Sequence, residues 1–401
     1  MKPGARLHID IVTLALVSAI LLLGLIMVTS ASISIASKDG GDPFAFLERQ
    51  LMLCLIGTML ATLVFCIRTE HLEKMAWPLL IAALALLFVV LVPGLGHVVN
   101  GSRRWIRVLG FNFQASELAR VLVLIFIASY AVRREDELRS TAFGLIKPIG
   151  LLVFIALLLL AEPDFGAASV LFITGFGILF IAGARLRYVL IAAAGGAGAA
   201  ALLVLLVPYR MARVTSFLDP WADPFNSGFQ LTQSLIAIGR GEWFGVGLGE
   251  SVQKLFYLPE AHTDFLFAVL AEELGLVGVL LTLSLFIGLV WRSFWVAQLA
   301  ARAGLKFPAY LAAGFGLWLG AQALINIGVN MGVLPTKGLT LPLMSYGRSS
   351  MIVTLAWLGL LLRVYHEAMQ SGRGMASPRR AESGRSDGEA PRSSRLAGAG
   401  A

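Results

Sequence analysis

The sequence predicts an all-α polytopic membrane protein of ten transmembrane helices, with both termini cytoplasmic and one large extracytoplasmic loop between spans seven and eight. Three observations carry that expectation. Hydrophobic residues make up 58% of the 401 positions and charged residues only 14%, against about half and a quarter in a soluble domain. The apolar residues gather into runs of about 17 or more, long enough to cross ~30 Å of hydrocarbon as helix. Lys and Arg are biased toward alternate loops, which fixes the orientation.

Taken in order, the spans fall near 11–33, 50–67, 77–94, 115–132, 148–162, 167–184, 188–207, 264–291, 308–329 and 349–365. The first run is too long for a signal-peptide core and lacks a small-residue cleavage site, so it is read as a retained span following a cytoplasmic segment, 1–10. An even number of spans puts both ends on one side. Arg133, Arg134, Arg139, Lys147, Arg185 and Arg187 lie in short loops that share a side with the termini, and that side is the cytoplasm by the positive-inside rule. The transmembrane domain is expected over 11–365. Residues 366–401 are rich in Arg, Ser and Gly and read as a disordered cytoplasmic tail.

Cys54 and Cys66 share one apolar run several helical turns apart, which excludes a disulfide framework or a zinc site. The formal net charge of +8 is concentrated in the tail. No aromatic-interleaved basic patch accompanies it, so nucleic acid is not expected as a partner. No phosphate-loop or dinucleotide motif occurs, which argues against a nucleotide cofactor. Hydrolase signatures are absent as well.

The longest break between spans, 208–263, carries Arg210, Arg213, Arg240, Lys254, several aromatics and a glycine-rich stretch. Its apolar content predicts order rather than passive linker. No convincing inverted repeat of broken helices is legible, which weakens a secondary-transporter reading. Asp264 opens the eighth span at the outer surface, either as a functional carboxylate or, with Thr263, as a cap of the helix. Glu272 and Glu273 follow within the hydrocarbon, where a carboxylate needs a partner or a polar cavity. Glu117 and Arg120 are spaced to share a helix face and to form an ion pair. Asp164, after Pro163, reads as a turn or cap residue.

Basic groups recur on the outer side at Arg103, Arg104, Arg210, Arg213, Arg240, Lys254 and Lys337, against the general bias. Retained there, they suit an anionic ligand such as phosphate, although each is also compatible with headgroup anchoring. A sugar linked to a lipid through diphosphate is already activated. One general base for the acceptor hydroxyl, with cations at the leaving group, suffices for its transfer.

Several motifs closely resemble the SEDS family, which comprises FtsW, RodA and SpoVE. They are Gly101-Ser102-Arg103-Arg104-Trp105-Ile106, Gln114-Ala115-Ser116-Glu117, Glu162-Pro163-Asp164-Phe165-Gly166, Tyr257 through Phe265, and Ser345-Tyr346-Gly347. The resemblance extends from the first span to about Tyr365, and the segment Leu334 to Pro342 is closer to the septal branch of the family than to the elongation branch. It implies a peptidoglycan glycosyltransferase of the inner membrane at the division septum, polymerising Lipid II with Asp264 as the essential carboxylate. Substrate contacts are expected among Arg103, Arg104, Glu117, Arg120, Arg210, Arg213, Arg240, Lys254, His262, Thr263, Lys337 and Ser345. A divalent cation, Mg2+ or Mn2+, is expected, with Asp264 as a candidate ligand. Implied partners are a class B penicillin-binding protein of the FtsI transpeptidase type, and FtsQ, FtsL and FtsB, in a lipid bilayer. A Lipid II flippase using Glu117, Arg120, Glu272 and Glu273, or a non-catalytic division scaffold, are the alternatives. Three positions depart from the usual pattern: Ala115 stands for proline, Arg120 for lysine, and Arg348 for a second glycine whose replacement would cost about 1 kcal/mol if its φ were positive.

Overall fold

The computed structural model describes residues 7–38, 42–99, 102–108, 111–226, 228–255, 257–336 and 338–382. In chain order the elements are α1 (Ile11–Lys38), α2 (Ala45–Cys66), α3 (Thr69–Lys74), α4 (Ala76–Leu91), β1 (Gly96–Val99), β2 (Ser102–Val108) and β3 (Phe111–Gln114). They continue with α5 (Ala115–Arg133), α6 (Glu135–Ser140), α7 (Phe143–Ala161), α8 (Phe165–Ile181), α9 (Leu186–Leu206), α10 (Pro208–Leu218) and α11 (Phe229–Arg240). The last three are α12 (Leu266–Arg302), α13 (Lys306–Asn330) and α14 (Arg348–Glu382).

Among the described residues, eight helices (α1, α2, α5, α7, α9, α12, α13 and α14) are long and apolar enough to cross a membrane. Two shorter apolar helices, α4 and α8, occupy the positions expected for spans three and six. Hydrocarbon offers no hydrogen bonds to a backbone, so polar groups must be satisfied within the bundle. The hydroxyls of Thr174, Thr282, Ser293 and Thr354 accordingly donate to carbonyls one turn back along their own helices.

Helices α5 and α13 are 83% buried over their apolar windows and α9 only 6%, so α5 and α13 form the centre and α9 lies at the periphery. Helix α14 packs along α2, α12 along α13, and α4 along α5. The α14–α2 contact is close because it uses small residues: a Cβ on Gly359 would stand 2.2 Å from the Ala61 carbonyl oxygen. Trp318 and Trp357 meet across α13 and α14 with ring centroids 5.1 Å apart.

The all-α expectation needs correction between α4 and α5. There β1, β2 and β3 form an antiparallel sheet in that order, pairing Trp105 with Gln114 and Ile106 with Phe113. The strands draw on β-branched and aromatic residues between Asn-Gly and Leu-Gly pairs, and they are too short to register as spans.

A second difference lies in α12, which is broken at Gly275 (φ 62°, ψ −160°). The backbone groups around the break are taken up by the preceding loop. Leu276 and Val277 N–H donate to the Glu242 and Trp243 carbonyls, while Val246 and Gly247 N–H donate to those of Glu272 and Glu273. No side chain fits at the break, since a Cβ on Gly275 would lie 2.3 Å from the Gly245 nitrogen. The 208–263 segment is ordered through α10 and α11, and Ser234 on α11 donates to the Asn330 carbonyl at the end of α13.

The boundary expected for the tail also moves. Helix α14 runs on to Glu382 and buries His366 and Ala368, so 366 lies inside the body of the protein. Residues 383–401 lie outside the described residues.

Gly275→Ala forces a side chain into left-handed backbone, at about 1–2 kcal/mol, and into the loop as well. Thermal unfolding in detergent should show a clear loss of stability. Gly239→Ala, in open space on α11, should be neutral or slightly stabilising; equal melting of the two variants would contradict the pinned break.

Candidate active site

Asp264 lies in the turn that delivers the chain into α12. Thr263 Oγ1 donates to the Glu260 carboxylate (2.7 Å) and to the Glu260 carbonyl (3.1 Å). The Thr263 and Phe265 amides donate to that same carbonyl, and Glu260 is held at φ 56°. From α13, Asn326 and Asn330 Nδ2 donate to the Asp264 carbonyl oxygen at 2.8 and 3.0 Å. Asn330 Oδ1 accepts from the Ala268 amide at 3.1 Å. The Ala268 amide in the first turn of α12 is thus shared between the Phe265 carbonyl and Asn330 of a neighbouring helix, and the N-cap residue Phe265 makes no side-chain cap.

The Asp264 carboxylate opens onto a cleft of about 320 Å³. Arg104, Trp105, Asn112 and Gln114 line it from the sheet, and Glu260 and Thr263 from the turn. The other wall runs from Gly338 and Thr340 to the start of α14, with Tyr346, Gly347, Arg348, Ser349 and Ser350. The Gln114 amide donates to Ser349 Oγ at 2.7 Å, which ties the sheet to α14. A Cβ on Gly338 would stand 3.2 Å from Asp264 Oδ2, so glycine there keeps the carboxylate uncrowded. Arg348 opens α14 and is not among the residues of positive φ. The strain that its replacement of a glycine threatened does not arise, and the cleft gains a cation.

The cleft thus unites Asp264, Thr263 and Arg104 with residues that the sequence did not single out as site residues, among them Glu260, Asn112, Gln114, Thr340, Ser349 and Ser350. Glu260 and Gln114 stood inside the quoted motifs, and that was their only signal.

The remaining candidates lie elsewhere or have other work. Arg120 pairs with Glu117 at 2.5 Å inside α5, both buried. Arg240 pairs with Glu272 at 3.2 Å, and Glu272 also accepts from Ser251 Oγ and the Val252 amide. Lys254 Nζ sits 2.7 Å from Glu273 and donates to Ser30 Oγ at 2.9 Å. Arg240 and Lys254 therefore hold the loop to α12, because two carboxylates buried there require counter-charge. Arg103 Nη1 donates to the Leu91 carbonyl. Ser345 Oγ accepts from the Leu341 amide within its own turn. The His262 ring packs against Phe46 and Tyr346, and burial pulls its pKa below the usual histidine range. Asp164 caps α8 through the Ala167 amide. The side chains of Arg210 and Arg213, on α10, and the whole of Lys337 lie outside the described residues.

Larger cavities lie away from Asp264, among them one of about 390 Å³ lined by Trp77, Phe126, Arg133 and Lys147 and two that are larger still. One, of about 630 Å³, is an apolar groove between α7, α8 and α9. The other, of about 1010 Å³, is lined by Arg68, Lys306, Arg363 and His366 at the opposite end of α12. Size alone does not mark a site. The 320 Å³ cleft is the one that joins Asp264, the carboxylate singled out in the sequence, to polar and cationic groups.

Residues 10–370 match the family described as cell cycle protein, FtsW/RodA/SpoVE. The chain belongs to this family. It is 57% identical over 356 residues to the probable peptidoglycan glycosyltransferase FtsW of Thioalkalivibrio sulfidiphilus, covering 89% of each chain. To the protein of the same name from Nitrosococcus halophilus it is 54% identical, covering 90% of this chain and 93% of that one. A chain from the structure "Structural coordination of polymerization and crosslinking by a peptidoglycan synthase complex" superposes with TM-score 0.71 at 35% identity, over 91% of this chain and all of that one. The Thermus thermophilus rod shape determining protein RodA gives 0.67 at 33% identity, over 90% and 98%.

The pinning role of Lys254 is directly testable. Lys254→Met leaves Glu273 buried without its cation and should cost about 3–5 kcal/mol, read as a lower unfolding temperature in detergent. Adding Glu273→Leu should recover most of that loss. A Lys254→Met protein as stable as the parent would refute the pin.

Proposed function

We propose that this chain is a peptidoglycan glycosyltransferase that polymerises Lipid II into glycan strands during cell division, with Asp264 as general base. The observation that carries the reading is the cleft that Asp264 lines together with Arg104 and Arg348. Asp264 takes the proton of the acceptor 4-hydroxyl, and the alkoxide attacks the anomeric carbon of the donor with inversion. The bond to the lipid diphosphate breaks, and its electron pair leaves with the phosphate. Arg104 and Arg348 supply the positive charge that this leaving group requires. The polar side chains of Asn112, Gln114 and Thr340 offer hydrogen bonds to the sugar hydroxyls.

A divalent cation fits the same cleft. Mg2+ typically takes one or two carboxylates together with substrate phosphates, and Glu260 and Asp264 line the cleft together. Such a cation would neutralise charge on the leaving diphosphate. The expected setting is ten spans with both termini cytoplasmic, the cleft on the outer face of the inner membrane at the septum. A class B penicillin-binding protein would cross-link the strands, and FtsQ, FtsL and FtsB would activate the pair. The relatives' names and the described peptidoglycan synthase complex support this reading.

The test is polymerisation of labelled Lipid II by the protein with its transpeptidase partner, in Mg2+ or Mn2+. Asp264→Asn, which keeps shape and removes basicity, should lower the rate by about 10²–10⁴. Glycan ladders at the parental rate would eliminate Asp264 as the base, and transfer of labelled lipid across proteoliposomes without polymer would favour transport.

A further inference from the structure

The end of the bundle away from Asp264 holds a basic pocket that takes no part in the chemistry described so far. Gln114 lines the Asp264 cleft, and α5 begins at the next residue. The far end of α5, at Arg133, therefore lies about 28 Å from the cleft side, at a rise of ~1.5 Å per residue. There α4, α5 and α7 enclose a pocket of about 390 Å³. Two local constraints build its walls. Pro148, inside α7, has no N–H, which leaves the Gly144 carbonyl four residues back without its helical donor. The Tyr130 hydroxyl of α5 donates to that carbonyl at 2.8 Å, so the gap left by the proline becomes a bridge between helices. On the α4 side, Trp77 meets Phe126 edge to face, with ring centroids 4.8 Å apart. The Arg133 guanidinium lies 5.8 Å from the centre of the same Phe126 ring.

The charges in this pocket do not cancel. Arg133, Arg134 and Lys147 line it, and no carboxylate does. Glu137 of α6 ion-pairs with both Arg134 and Lys147, so one acid serves two cations. Arg133 forms no ion pair among the described residues, and Glu73 of α3 acts on it only at longer range. The cavity around Arg68, Lys306 and Arg363 is different, because each of those cations has a carboxylate of its own in Glu70, Glu135 or Glu367. The surface beside the basic pocket is apolar. Trp77 is exposed, Ile81 one turn further along α4 is exposed, and so are Phe143 and Ile146 just before Lys147. An exposed tryptophan and a cluster of cations at the end of an apolar helix surface are what a membrane interface selects.

We propose that this pocket binds the phosphodiester headgroup of an anionic glycerophospholipid, in the leaflet opposite the Asp264 cleft. Arg133 supplies the uncommitted charge, with Arg134 and Lys147 beside it, and the acyl chains lie along the apolar faces of α4 and α7. A basic pocket between membrane-spanning helices suits such a headgroup. A zwitterionic lipid suits it less, because its quaternary ammonium would add a fourth cation. The binding does not depend on which reaction takes place at Asp264.

The experiment places the full chain in nanodiscs in which phosphatidylglycerol is titrated into phosphatidylcholine, and counts retained lipid by native mass spectrometry. Both leaflets then have one composition, so the result is independent of orientation. The parent should retain phosphatidylglycerol in preference to phosphatidylcholine. Arg133→Gln combined with Lys147→Gln should weaken that preference roughly fivefold for each cation removed. Arg185→Gln combined with Arg187→Gln, which removes two cations outside the pocket, should leave it unchanged. Excess inorganic phosphate should not displace the lipid, since the apolar faces of α4 and α7 hold acyl chains and not a soluble ion. Equal retention of the two lipids by the parent would overturn the proposal. So would an equal loss in both double variants, which would reduce the effect to diffuse surface charge, or displacement by phosphate, which would make the ligand a soluble anion.

Discussion

Two adjacent carboxylates buried beside a break in a membrane-embedded helix set the terms for the rest of the structure. Glu272 and Glu273 lie immediately before Gly275, where α12 loses its regular hydrogen bonds. Both the charges and the freed backbone groups must be satisfied without water. The same stretch of chain does both. Residues 242–247 bond the broken backbone, and Arg240, Ser251 and Lys254 engage the carboxylates. The loop between α9 and α12 is thereby fastened at both ends of its glycine-rich segment, and α11 is laid against α12. Removing either member of these pairs would strand a charge, so the loop and the helix are specified together.

This fastening explains how the Asp264 end of α12 is shaped. The first part of the helix is held by the loop on one side and by Asn326 and Asn330 of α13 on another. Asn330 donates to the Asp264 carbonyl and accepts from the Ala268 amide, which fixes the backbone at the start of α12. The charged groups of the protein then divide by partner. Arg120, Arg240 and Lys254 are neutralised by carboxylates, whereas Arg104 and Arg348 line the cleft with Asp264. That division separates the cations that hold the fold together from those that line the cleft.

Much of this was legible in the sequence, and what was missed shares one cause. Apolar runs are local signals, so the long helices and the ion pair of Glu117 with Arg120, three residues apart, could be read directly. The sheet could not, because strands of four to seven residues leave little room for a period-two pattern. The break in α12 was equally hidden. Gly275 sits in an apolar run like any helical glycine, and its conformation is set by a loop about thirty residues upstream. Arg240 and Lys254 were read as ligand contacts for the same reason, their partners lying 32 and 19 residues away. Asp264 was identified, but its companions in the cleft come from the sheet and from α14, segments that only the fold brings together.

The central claim is that the cleft beside Asp264, and not a larger cavity, holds the diphosphate-linked sugar. Photo-crosslinking with a Lipid II analogue bearing its photoreactive group on the sugar tests this most directly, with adducts mapped by mass spectrometry on the membrane-embedded complex. The account predicts adducts within residues 102–114 and 338–350, lost on competition with unlabelled lipid. Adducts confined to the apolar groove of α7, α8 and α9, or to the cavity around Arg363 and His366, would contradict it.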